Sequence, residues 1–241
     1  MDDPAMPSLY LNTFAPLAML RHGREAASKH GLPPFIDGSI RREPDFQHER
    51  PAITCLCRAG KFVPRLRVGD HVAYMTKKAV YSDRVPSRRL VAVLRVDEIV
   101  ADHKALAAWY RRKRLPLPSN CMVPGNPHQP LNKSHRATVY SRCGDGECAT
   151  KWDAQYEARA RKHPVAVICT TLHLWLDWDA PVIHDSDLRN VFGRVPATEN
   201  PGSLDLDLLT PLLQRVAAPP SSPRTTPTAT RSRRSTRGPV P

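Results

Sequence analysis

Aromatic residues make up only 6% of this 241-residue chain, and glycine appears only 11 times. Few aromatics exclude a broad stacking surface. The glycines build no phosphate-cradling loop, no dinucleotide fingerprint and no nucleophile elbow, and the histidines form no metalloprotease helix motif. No apolar run approaches the roughly 18 residues that a membrane-spanning helix needs. The start, Met1-Asp2-Asp3-Pro4, is acidic and carries a proline, which is wrong for a secretory signal. The expected location is therefore the cytoplasm, where the six cysteines stay reduced. No cofactor is expected. From Ala217 onward acids are missing altogether, while arginines stand at 224, 231, 233, 234 and 237 among Pro, Ser and Thr. Such a segment cannot bury enough apolar surface to order itself, so 217–241 reads as a disordered basic tail.

What the chain has in excess is positive charge and proline. The net charge is +13, and subtracting the five tail arginines leaves +8 on the remainder. A basic body favours polyanions such as DNA, RNA or an acidic membrane face; the expected partner is nucleic acid or a nucleotide, DNA first, and no membrane. Hydrophobic residues at 41% suffice for a real core.

The central stretch is 64–110. A Val68-Gly69-Asp70 turn feeds a strand, and after a polar hairpin tip the nearly apolar run Leu90–Val100 reads as a buried central strand. A basic helix follows over His103–Arg114, capped by Asp102, with Leu106, Trp109 and Tyr110 on one face and cations crowding its C-terminal end. Further strands are predicted at Ser8–Thr13, Ala52–Cys57, Arg136–Tyr140 and Val165–Thr170, the last running toward Leu176. Helices are predicted at Ala15–Lys29, Trp152–His163, Asp185–Phe192 (capped by Asp185 or Ser186) and Leu204–Val216, with a break near Pro211. The stretch 35–46 is a loop whose Phe35, Ile36 and Phe46 predict that it packs down. The stretch 115–133 is a Pro/Asn-rich loop.

Several groups have chemistry to offer, each beside a plainer role. Cys143 and Cys148 could hold zinc with Cys55 and Cys57 or a histidine, or be incidental thiols of a Gly-rich turn. Asp177 and Asp179 could take a divalent cation, or simply end a strand beside two tryptophans. Arg111, Arg112, Lys113 and Arg114, with Arg41 and Arg42, could neutralise phosphates, or be solvated charges. Asn120 and Asn126 offer amides that match a base edge, in a loop that proline stiffens.

Four stretches, taken in order, carry a resemblance. They are Asp37-Gly-Ser-Ile-Arg-Arg-Glu-Pro-Asp-Phe46, Ile53-Thr-Cys-Leu-Cys-Arg58, Leu117-Pro-Ser-Asn-Cys-Met-Val-Pro-Gly-Asn-Pro127 and Phe192-Gly-Arg-Val-Pro196. With the Val68-Gly69-Asp70 turn and the strand 90–100, residues 8–212 resemble the nucleotide-modification-associated domain families of the PUA-like superfamily, which includes the ASCH, EVE and YTH domains. The resemblance implies an α+β fold built on a small mixed β-barrel of five to six strands with peripheral helices. It also implies a cleft that holds a modified base or nucleotide. On that basis Tyr74 and Trp109 are candidates for stacking, Asn12, Asn120 and Asn126 for hydrogen bonds to a base, and Arg41, Arg42, Arg111, Arg112 and Arg114 for phosphate. The alternative is an enzyme acting on nucleotides or modified bases in a DNA-modification system, with Asp37, Asp70, Cys121 or His135 as acid, base or nucleophile.

Overall fold

The computed structural model describes residues 6–56, 60–81, 85–128, 146–199 and 201–217, with the backbone alone for 146–152. It is a mixed α+β fold around a curled, half-barrel sheet of six strands. Strand β1 is Ser8–Phe14, β2 Ala52–Ile53, β3 His71–Thr76, β4 Arg88–Val100, β5 Ala166–Leu174, β6 Val182–Ile183 and β7 Leu204–Asp205. The spatial order is β2-β5-β4-β3-β1-β7, and β6 pairs with the start of β4. Among the described strands only β1 and β3 pair in parallel; β4 is antiparallel to both β3 and β5. Register shifts at Tyr74/Met75, Val93/Leu94 and Val96/Glu98 bend these long strands, and such bulges are what allow a sheet to curl.

Period-two alternation buries both faces. On one face Tyr10, Phe14, Val72, Tyr74 and Leu94 pack with Phe35, Phe46 and Phe62. On the other, Leu9, Leu11, Ala73, Met75 and Val93 pack under Leu188 and Leu212. Those two leucines belong to helices α4 (Asp185–Phe192) and α5 (Leu209–Ala217). Helix α2 (His103–Lys113) forms a third cluster, with Leu106, Trp109 and Tyr110 against Ala52, Ala166 and Ile168. Its predicted cap is in place: Asp102 Oδ1 accepts the Ala105 N–H at 2.7 Å.

The structure corrects several predicted elements. The helix expected over Ala15–Lys29 is a 3-10 turn, Leu17–Met19, followed by α1, Arg21–His30. The N–H groups of Leu17 and Ala18 donate instead to Ile36 O and Pro34 O, which ties this segment to the loop after α1. The strand expected over Ala52–Cys57 stops at Ile53, because the Thr54 N–H donates to Glu43 Oε1 at 2.7 Å rather than to a ladder carbonyl. Cys55 is therefore buried beyond the strand end, and Cys57 lies outside the described residues. Helix α3 spans Gly146–Lys162, so the second half of the turn predicted at Cys143–Cys148 is helical. The cap of α4 is His184, whose N–H donates to Asp187 Oδ2 at 2.9 Å. The C-terminal helix begins only at Leu209, after β7 and a 3-10 turn, and Pro211 sits in its first turn, where its missing N–H costs no helical bond. The strand predicted at 136–140 and the tail from Ala218 fall outside the described residues. Among those described, no helix is long and apolar enough to cross a membrane.

Candidate functional site

Two loops meet beside the sheet. The first, 35–46, packs down as predicted: Phe35, Ile36, Ile40 and Phe46 are buried, and so are Asp37, Ser39, Arg41, Arg42 and Glu43. The Phe35 N–H donates to Leu176 O at 3.1 Å and the Gly38 N–H to Ala15 O at 3.0 Å, so the loop is stitched to its neighbours at one end. At the other end it is held by the second loop, 115–128.

Arg41 joins them. Its Nε and Nη2 donate to Asp153 Oδ1 and Oδ2 at 2.5 and 2.7 Å, a bidentate pair with helix α3. Its Nη1 donates to Ser119 O at 3.0 Å and Asn126 O at 2.9 Å. Ser119 Oγ returns a bond to Arg41 O at 2.9 Å. Asn126 Nδ2 donates to Pro118 O and Cys121 O at 3.0 and 2.8 Å and closes the turn that ends in Gly125, whose φ of +82° places it in the left-handed region. Between the second loop and α3 lies a cleft of about 450 Å³, bordered by Arg41, Met122, the 123–127 turn, His128, Asp153 and Glu157. His128 Nδ1 stands 3.5 Å from Asp153 Oδ2.

Behind this wall Glu43 is buried with three donors. Thr54 N–H and Oγ1 and Asn120 Nδ2 all reach its carboxylate, the last at 3.0 Å, and Asn120 Nδ2 also reaches Ala52 O at 2.8 Å. Burial nevertheless pushes the Glu43 carboxyl up to about 7, with the Asp37 charge adding to the rise. Burial also raises Asp37, against the Ser39 N–H and hydroxyl that both donate to its Oδ1. His103 is pushed down to about 4 by burial. Its Nδ1 accepts the Met122 N–H at 3.1 Å, which places the neutral ring's proton on Nε2.

The structure thus brings Arg41, Asn120, Cys121 and Asn126 into one assembly, with Asp37 and Arg42 in the adjoining turn. Arg42, at φ +43°, donates to Asp37 O at 3.2 Å and to Ser39 O. The other candidates stand elsewhere. Asn12 and Tyr74 pair across β1 and β3, and Tyr74 packs against Phe46 and Phe14 at ring-centroid distances of 5.2 and 6.4 Å. Trp109 is buried beside Tyr110, and the Arg50 guanidinium lies 5.4 Å from its ring centre. Asp70 closes the turn ahead of β3, accepting the N–H groups of Arg67 and Ser8, both at 2.8 Å. Arg111, Arg112, Lys113 and Arg114 are exposed at the end of α2. His135 and Cys143 lie outside the described residues, and of Cys148 only the backbone, on α3, is described. Among the described residues no three His, Cys, Asp or Glu side chains gather as metal ligands.

Sequence reasoning missed Glu43, His103, Ser119, His128, Asp153 and Glu157. Glu43 stood inside a stretch already marked as packed and polar, which was a usable signal. Asp153 and Glu157 carried only their i,i+4 spacing, which puts them on one face of a helix without saying what that face meets. No family model matches the chain, and no curated protein or solved structure was found to be similar to it.

Proposed function

We propose that the chain is a nucleotide- or nucleic-acid-binding module of PUA-like type that holds a base, modified in its natural ligand, in the cleft between the 115–128 loop and α3. The observation that carries this reading is the construction of the cleft. Its walls are cross-braced by Arg41, whose Nε, Nη1 and Nη2 all bond to protein acceptors, and by the Asn126 amide. A braced site loses little freedom when a ligand enters. The volume of about 450 Å³ lies within the roughly 300–1,000 Å³ typical of small-molecule pockets.

The chemistry of the walls narrows the ligand. Because Arg41 and Asp153 are committed to each other, the acceptor the cleft keeps for a ligand is the exposed Glu157 carboxylate, 3.7 Å from Arg161 Nη1, with the His128 ring also on the lining. Acceptors suit the N–H donors of a base edge, such as an exocyclic amine, and they repel phosphate. Phosphate contacts then fall to exposed cations such as Arg111, Arg112 and Arg114.

The enzymatic alternative draws less support. Burial pushes the Cys121 thiol up to about 12, the wrong direction for a nucleophile. Asp37 and Asp70 serve different turns. The test is binding of short oligonucleotides that carry modified or unmodified bases, measured with Glu157→Gln and His128→Ala. Salt-sensitive binding that prefers a modified base and weakens in both variants supports the reading. Equal affinity for all oligonucleotides, unchanged in both variants, overturns it.

A further inference from the structure

A second cleft shares no lining residue with the first. It lies at the base of the β3–β4 hairpin, measures about 260 Å³, and is bordered by Thr13, Lys77, Lys78, Arg88, Thr198 and Glu199. The fold brings them together for plain reasons. Lys77 and Lys78 follow β3, Arg88 opens β4, and Thr13 stands near the end of β1, whose Phe14 carbonyl accepts the Lys77 N–H at 2.8 Å. The loop after α4 closes the side, where Thr13 Oγ1 donates to Thr198 Oγ1 at 3.0 Å.

The corner already holds an anion supplied by the protein. Asp185, at the start of α4, accepts Lys78 Nζ at 2.7 Å through Oδ2 and Arg88 Nη1 through Oδ1. These two cations, through the hydrogen bonds they donate, hold its carboxyl down at about 2. Lys78 and Arg88 together outweigh the one Asp185 carboxylate they share by one positive charge.

We propose that this cleft is a binding site for a phosphate group, carried by a nucleotide or by a nucleic-acid backbone. Its volume falls below the roughly 300 Å³ at which pockets begin to enclose a whole small molecule, so it suits one small anion. Lysine ammoniums act as point charges for phosphate, and hydroxyls add directed hydrogen bonds. The Lys78 side chain is 43% exposed and can swing from Asp185 to an arriving anion, while the Arg88 side chain, 14% exposed, stays on Asp185. Glu199 on the rim opposes the anion and sets a limit on affinity. The site stands apart from the loop cleft: inorganic phosphate carries no base, so failure of base binding leaves this proposal intact.

The experiment is an amide-resolved NMR titration of the full chain with inorganic phosphate, with sodium chloride at matched ionic strength as the control. Shifts that saturate at Thr13, Lys77, Lys78 and Thr198 with phosphate alone are expected. Lys78→Gln should weaken the phosphate response about tenfold, the scale of one charge-assisted hydrogen bond. Glu199→Gln should strengthen it, which a purely structural role for these residues would not do. Parallel titrations with a nucleoside monophosphate and with dimethyl phosphate separate the sources: preference for the first assigns a monoester terminus, preference for the second a backbone diester. Shifts that spread over the whole surface, that chloride reproduces, or that Lys78→Gln and Glu199→Gln leave unchanged would overturn the proposal.

Discussion

Arg41 and Arg111 are the same residue type, and each begins a run of basic residues. Arg41 and Arg42 are buried, at 4% and 6% exposure, whereas Arg111, Arg112 and Arg114 all face solvent. The first pair sits in a loop that has no ladder of its own, so its charges serve as the loop's internal framework, bonded to Asp153 and to the carbonyls of Ser39, Ser119 and Asn126. The second group ends a helix that supplies its own backbone bonds, so its charges remain available to a partner. A guanidinium reads as a phosphate ligand only when the surrounding backbone has not already claimed it.

The largest effect should come from attacking the loop. Removing one partner of a buried ion pair leaves an uncompensated charge, so Arg41→Ala should cost about 3 kcal/mol, near the low end for such pairs because Asp153 keeps partial exposure. Chemical denaturation reads this directly; a loss below about 0.5 kcal/mol would place Arg41 in the same class as the helix arginines.

A second test separates two buried groups by the sign of their pH dependence. Glu43 has a folded-state value raised to about 7, so its contribution is lost as pH rises from the ordinary glutamate value through 7. His103 has a folded-state value lowered to about 4, so its contribution is present above the ordinary histidine value and is lost as pH falls through 4. Between roughly pH 4.5 and 6.5 the two slopes oppose each other. Glu43→Gln should therefore remove a decline of about 3 kcal/mol between pH 4.5 and 8, measured as the urea midpoint against pH. Asp37, also raised by burial, contributes a decline of the same sign. Parallel curves for the variant and the wild type would show that Glu43 does not titrate in this window.

Smaller effects are expected at the helix. Asp102→Ala should cost about 1 kcal/mol, the scale of one N-cap, because it removes the bond that the Asp102 carboxylate accepts from the Ala105 N–H. Arg111→Glu with Arg112→Glu should change stability by less than about 0.5 kcal/mol. If both contact phosphate, that double variant should reduce the salt slope of oligonucleotide binding by about 2. A stability loss comparable to that of Arg41→Ala would erase the distinction between the two regions.

These contrasts mark what was legible. Helix α2 was read nearly to its ends because a cap, an apolar stripe and a terminal cluster of cations are local signals. Strands β3 and β4 were likewise visible in the apolar runs around 72–76 and 90–96. The Ala52–Cys57 strand was overextended because Thr54 turns away to a carboxylate eleven residues earlier, and alternation of side chains cannot report that bond. Asn120 was singled out as an amide for a base edge; its actual place behind the wall, bonded to Glu43 and Ala52 O, depends on which loop packs over which.

By itself the sequence determined helix α2, the apolar runs of β3 and β4, the net positive charge and the packed character of 35–46, because each follows from side-chain type and spacing along a short stretch. Only the tertiary structure decided which charges were consumed and which were left to act. Arg41 meets Asp153 across 112 residues, and Lys78 meets Asp185 across 107. The electrostatic partner of a charge is set by the path of the sheet and its loops through space, and that path is a property of the whole chain.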